Sequence, residues 1–134
     1  MRSWHRSLLT SSLISIAACA APAPAMEREF AAVPERVREA ARASLPGPAD
    51  EEAGVLRTGW IEALSPDRAQ GTLLEGSYVR RYRLTVTVSG SRVGVRAVVE
   101  ERAPGGTGAL RWQRRESDGR AERAFLARLE EMLR

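Results

Sequence analysis

One stretch constrains what this chain of 134 residues can fold into more than any other: YVRRYRLTVTV, residues 78–88. Successive side chains of a strand point to opposite faces. Tyr78, Arg80, Tyr82, Leu84, Val86 and Val88 therefore share one face, and Val79, Arg81, Arg83, Thr85 and Thr87 the other. Ser89-Gly90-Ser91 then supplies a hairpin turn. In the strand that follows, Val93, Val95, Ala97 and Val99 alternate with Arg92, Gly94, Arg96 and Val98. A long antiparallel hairpin with one apolar face is the expectation, and that face needs a cover.

Two amphipathic stretches offer the cover. Pro34 suits the first position of a helix and Glu35 its positive end. Val33, Val37, Ala40, Ala41, Ser44 and Leu45 recur at helical spacing, so a helix is predicted over residues 34–45, ended by Pro46-Gly47-Pro48. Near the C-terminus, Phe125, Leu129 and Met132 repeat at i, i+4, i+7, joined by Ala121, Leu126 and Leu133, with Asp118 as the expected N-cap. Residues 54–63 alternate and read as one strand, with Leu56, Thr58 and Trp60 on one side and Val55, Arg57 and Gly59 on the other. Residues 50–52 read as an acidic loop, residues 64–76 and 103–108 as further loops, and Leu110, Trp112 and Arg114 as a short last strand. The fold class is α+β: a four-stranded antiparallel meander, α-β-β-β-β-α, with both helices on one face. The outer face, carrying Arg57, Arg81, Arg83, Thr85 and Thr87, suits water.

The N-terminal part has a different character. Residues 1–6 hold two arginines, and residues 8–18 are mostly apolar but too short to span a bilayer. This is the pattern of a secretory signal peptide. It ends in Ile16-Ala17-Ala18-Cys19, which looks like a bacterial lipobox. That resemblance implies a cysteine that carries a diacylglycerol and becomes the new N-terminus, and acyl chains that fix it to a membrane. Ala23-Pro24-Ala25 also fits an ordinary signal-peptidase site, which would release a soluble protein. On the lipobox reading, residues 1–18 are the leader, 19–32 the lipidated cysteine and a flexible tether on which Phe30 docks, and 33–134 a single domain. Ala20 follows the cysteine, where an aspartate would favour the inner membrane, so the outer membrane facing the periplasm is expected.

The domain is poor in catalytic groups. The single histidine, His5, lies in the leader, and the chain has no lysine. Ser-His and Cys-His nucleophile pairs are therefore missing, as are the usual zinc ligands. Glu100 and Glu101 are adjacent on a strand and face opposite ways, while Glu130 and Glu131 suit a solvated helix surface. No catalytic residue, metal or cofactor is expected. Basic residues number 21 and acidic ones 17, interspersed to a net charge of +4, and no nucleic-acid partner is expected. Two features point to binding. Arg81 and Arg83, with Arg57 and Arg96 on neighbouring strands, form a cationic patch that suits anionic lipid headgroups or an acidic protein surface. Trp60 and Trp112 sit among apolar neighbours and are expected in the core; an exposed tryptophan would mark an interface.

The lipobox, the helix PERVREAARASL, the segment GVLRTGW and the YRLTVTV strand with its hairpin make the chain similar to single domains of BamC (NlpB)-type outer-membrane assembly lipoproteins. Those proteins carry two domains and a longer unstructured N-terminal region. The resemblance implies a non-enzymatic lipoprotein, held to the membrane by acylated Cys19 and serving an outer-membrane assembly or transport complex. The alternative is a periplasmic binding module for a lipid or small apolar ligand held between helices and sheet.

Overall fold

In a computed structural model, residues 23–64, 79–102 and 111–134 are described. The leader, Cys19, the loops expected over 65–76 and 103–108, Tyr78 and Leu110 lie outside them. The elements are β1 (Met26–Glu29), α1 (Pro34–Ala43), β2 (Ala49–Glu52), β3 (Val55–Thr58), β4 (Ile61–Leu64), β5 (Val79–Ser89), β6 (Arg92–Arg102), β7 (Gln113–Arg115) and α2 (Arg120–Leu133). The fold is α+β with an antiparallel sheet and, among the described residues, two helices and seven strands where four were expected. They occupy five positions, ordered β1-β6-β5-β3-β2, with β4 continuing β3 along β5 and β7 following β1 along β6.

The hairpin β5–β6 is the spine, paired in register from Val79↔Arg102 to Ser89↔Arg92. Its turn places Gly90 at φ 61, a left-handed conformation that glycine adopts without strain. Leu84, Val86, Val88, Val93, Val95, Ala97 and Val99 are buried on one face. Val37, Ala40 and Ala41 of α1, and Phe125, Leu126 and Leu129 of α2, complete the same apolar cluster with Leu56. Each valine, leucine or phenylalanine among them contributes about 1.5–3 kcal/mol when fully buried. Met132, expected on the apolar stripe of α2, is half exposed instead, and Leu133 takes up the contact with the core.

Two strands arise where loop or tether was expected. Residues 26–29, MERE, pair with β6 from Met26↔Val95 to Glu29↔Arg92. Residues 49–52, ADEE, form a hairpin with β3 through Ala53 and Gly54, at φ 50 and 78. Both are edge strands and bury little, so neither carries an apolar alternation, and their charges protect the sheet edges from further pairing. Phe30 docks as expected: it packs on the core, and its N–H donates to the Ser91 carbonyl at 3.0 Å.

The strand expected over 54–63 is interrupted. Leu56 pairs with Val86 and Ile61 with Tyr82, so Gly59 and Trp60 together stand opposite Arg83. This is a β-bulge: one extra residue, which reverses the facing of everything after it. The Leu84 N–H at the bulge is taken by the Thr58 hydroxyl at 2.9 Å, which accounts for a threonine that is only 5% exposed. The Gly59–Trp60 bulge is what places Trp60 on the outer face.

Candidate functional site: an arginine–tryptophan face on the sheet

The bulge and the β6–β7 pairing bring both tryptophans to the outer face, against the expectation that they fill the core. Arg114 pairs with Glu100, so Trp112, two residues earlier, shares its side of the sheet. There the guanidinium carbon of Arg81 lies 4.3 Å from the Trp60 ring centre and 4.0 Å from that of Trp112. Arg83 stands 4.9 Å from Trp60, and Arg102 stands 5.0 Å from Trp112. The contacts run in one alternating series, Arg83–Trp60–Arg81–Trp112–Arg102. Each cation over an indole face is worth about 0.5–1 kcal/mol when exposed and about 2 when desolvated. The series joins four strands: Trp60 leads into β4, Arg81 and Arg83 belong to β5, Arg102 to β6, and Trp112 precedes β7.

Arg81 is the centre. Its Nε and Nη2 both donate to Glu100 Oε2, at 2.8 and 2.6 Å. Glu100 is its cross-strand partner, and Glu62 flanks it on β4. Arg81 is thus held in place. Of the three arginines expected to form an interaction surface, Arg57 and Arg83 are exposed and have no ion pair among the described residues, whereas Arg81 is half-buried and paired. Arg57 and Arg96 flank Thr85 across the strands, and Thr85 is only 8% exposed, so this part of the outer face is less wet than expected. Arg96 Nε donates to the carbonyl of Ala23. A Cβ on Gly94 would meet the Pro24 side chain at 2.8 Å. The segment 23–24 therefore crosses the outer face, over β6.

The opposite side of this end of the sheet is also charged. Glu101 faces away from Glu100, as adjacent strand residues must, and approaches Arg115 at 3.5 Å. Arg80 donates to Asp118 Oδ2 at 3.1 Å. Asp118 is not the N-cap of α2; Gly119 is, at φ 75. Asp118 Oδ1 instead accepts the Arg120 N–H from one residue further back. The Arg80 hydrogen bond, helped by the Arg120 amide, holds the Asp118 carboxyl below its ordinary value of 3.8. A depressed carboxyl contributes stability that is full above the unfolded value and is lost as pH falls through the folded one. Asp118→Asn is expected to lower Tm at pH 7 and to converge with the parent below that folded value. Thermal melts of both proteins from pH 7 to pH 2 check this; parallel curves throughout would refute it.

One buried carboxylate escaped the sequence reading. Glu122, 0% exposed on α2, accepts the Ala97 N–H at 3.0 Å and the Ser117 hydroxyl at 2.8 Å. No described strand pairs with β6 there, between Val95, the last residue opposite β1, and Val99, the first opposite β7. An open cleft of about 480 Å³ beside the gap is lined by Ala25, Arg96, Val98, Arg114, Ser117 and Glu122, among others. Both Glu122 oxygens are engaged by the fold, so this carboxylate works as a structural plug. Among the described residues no cluster of His, Cys, Asp or Glu has the geometry to hold a metal ion. No described helix is long and apolar enough to cross a membrane.

Compared with protein-family models, with curated proteins and with solved structures, the chain matches none.

Proposed function

We propose that the chain is a non-enzymatic envelope lipoprotein, anchored through acylated Cys19 at the periplasmic side of the outer membrane, and an accessory or interaction module of an assembly or transport complex there. The observation that carries this reading is the outer sheet face. Neither described helix covers it, and it presents Arg57, Arg83 and a Trp60 that is 37% exposed. Exposed arginine beside tryptophan is the composition of binding surfaces. The lipobox-like Ile16-Ala17-Ala18-Cys19 supports the address, and a chain whose only histidine is His5 supports the non-enzymatic role. The space between helices and sheet is occupied by packed side chains, so nothing favours an apolar ligand there over the outer face.

The test uses tagged full-length protein in a bacterial host. Cells are crosslinked, their membranes separated, and the purified protein examined by mass spectrometry. Acylated Cys19, outer-membrane fractionation and crosslinks to assembly or transport components are the expected results. A protein free in the periplasm, or one without partners whose deletion leaves the envelope unchanged, would overturn the proposal.

A further inference from the structure

We infer that the outer face of the sheet lies on the bilayer that receives the Cys19 acyl chains, with Arg57 and Arg83 among anionic phosphate headgroups. This rests on the anchoring reading above and deepens it by naming what the face meets.

The first argument is the path of the chain. Pro24 covers Gly94 and the Ala23 carbonyl is held by Arg96, so the backbone leaves the domain on the outer face and not from the helical layer. Cys19 precedes Ala23 by four residues. Fully extended, that is a reach of about 14 Å. Arg96, Thr85 and Arg57 lie side by side on β6, β5 and β3, so Arg57 is two strand spacings, about 10 Å, from the residue that holds Ala23. A tether this short, rooted on this face, presents the face to the membrane.

The second argument is charge placement. Glu27, Glu29, Asp50 and Glu52, the acidic side chains that share this face on β1 and β2, lie on its outermost strands. Nearer the centre, Glu100 is neutralised by Arg81, and Glu62 stands beside Arg81 on β4. Arg57, beside Asp50, and Arg83 form no ion pair among the described residues, and both lie between those margins. Tryptophan, like tyrosine, is enriched at the headgroup level of membranes, and Trp60 stands beside Arg83. Docking in this pose leaves the exposed sides of α1 and α2 turned to the periplasm, available to protein partners.

The leader carries Trp4, so the mature lipoprotein has only Trp60 and Trp112, both on this face, and its fluorescence reports on docking directly. The acylated protein is reconstituted into vesicles of phosphatidylethanolamine and phosphatidylglycerol that contain a headgroup-nitroxide lipid as quencher. Strong quenching is expected, reversed by high salt. Arg57→Gln together with Arg83→Gln is expected to lower the docked-to-lifted ratio about thirtyfold, on the order of fivefold per arginine. Arg38→Gln, on the exposed side of α1, is expected to change nothing. Tryptophans that stay unquenched while mass spectrometry shows acylated Cys19 would overturn the docking pose and leave the anchor standing. So would equal quenching in phosphatidylcholine vesicles, or crosslinks from Arg57 and Arg83 positions to a protein alone. An unacylated Cys19 would instead overturn the anchoring reading.

Discussion

Arg81→Leu is expected to destabilise the domain by about 2–4 kcal/mol, the sum of two cation–π contacts and a two-donor hydrogen bond to a carboxylate. In a domain of this size that lowers Tm by on the order of 15 °C. The side chain lies between Trp60 and Trp112 and reaches Glu100. Removing it leaves a half-buried carboxylate beside two indole faces, which carry partial negative charge. Arg81→Lys keeps the charge and loses the planar fork, and is expected to recover less than half of the loss. Arg81→Leu with Glu100→Leu is expected to be more stable than Arg81→Leu alone, because no orphaned charge remains. Urea and thermal melts of the three variants decide it. An Arg81→Leu protein within about 2 °C of the parent would show that the stack contributes nothing to stability.

That stack was legible only in pieces. Alternation along residues 78–88 correctly puts Arg81 and Arg83 outside and Leu84, Val86 and Val88 inside, because a strand with one buried face carries a period of two. The same alternation fails at Trp60. It runs from Leu56 through Thr58 to Trp60 without a break, and the bulge that reverses it is visible only in the pairing with β5. A glycine before the tryptophan, Gly59, was the available signal. For Trp112 the parity is right, but parity cannot say which face is inside until the strand is paired. The edge strands β1 and β2 are silent for another reason: of MERE and ADEE only Met26 is even partly buried, so no hydrophobic pattern marks them. Their pairing is a property of the hairpin beside them. Two features considered separately, a cationic patch and a pair of tryptophans, are one cluster in three dimensions.

Glu122 shows the limit of helical periodicity. On α2 it lies three residues before Phe125 and seven before Leu129, on the buried stripe itself, where a carboxylate reads as an exception rather than a part. Its role comes from an interruption in another element. The pairing with β1 stops and that with β7 has yet to start, so the Ala97 amide, 25 residues away in sequence, needs an acceptor that no described strand provides. Glu122→Ala is expected to cost about 2–4 kcal/mol, combining a buried N–H left unsatisfied with the cavity left by the lost side chain. Glu122→Gln keeps an acceptor for Ala97, and Ser117 can turn its hydroxyl to accept from the amide, so a loss of about 1 kcal/mol is expected there. Denaturant melts give the totals, and amide exchange gives the mechanism. In Glu122→Ala the Ala97 amide should lose far more protection than those of Val95 and Val99, which lie in the strand-paired stretches on either side. Unchanged protection at Ala97 would mean that helix packing alone, and not the bridge to the sheet, explains why a carboxylate is buried at this edge of the sheet.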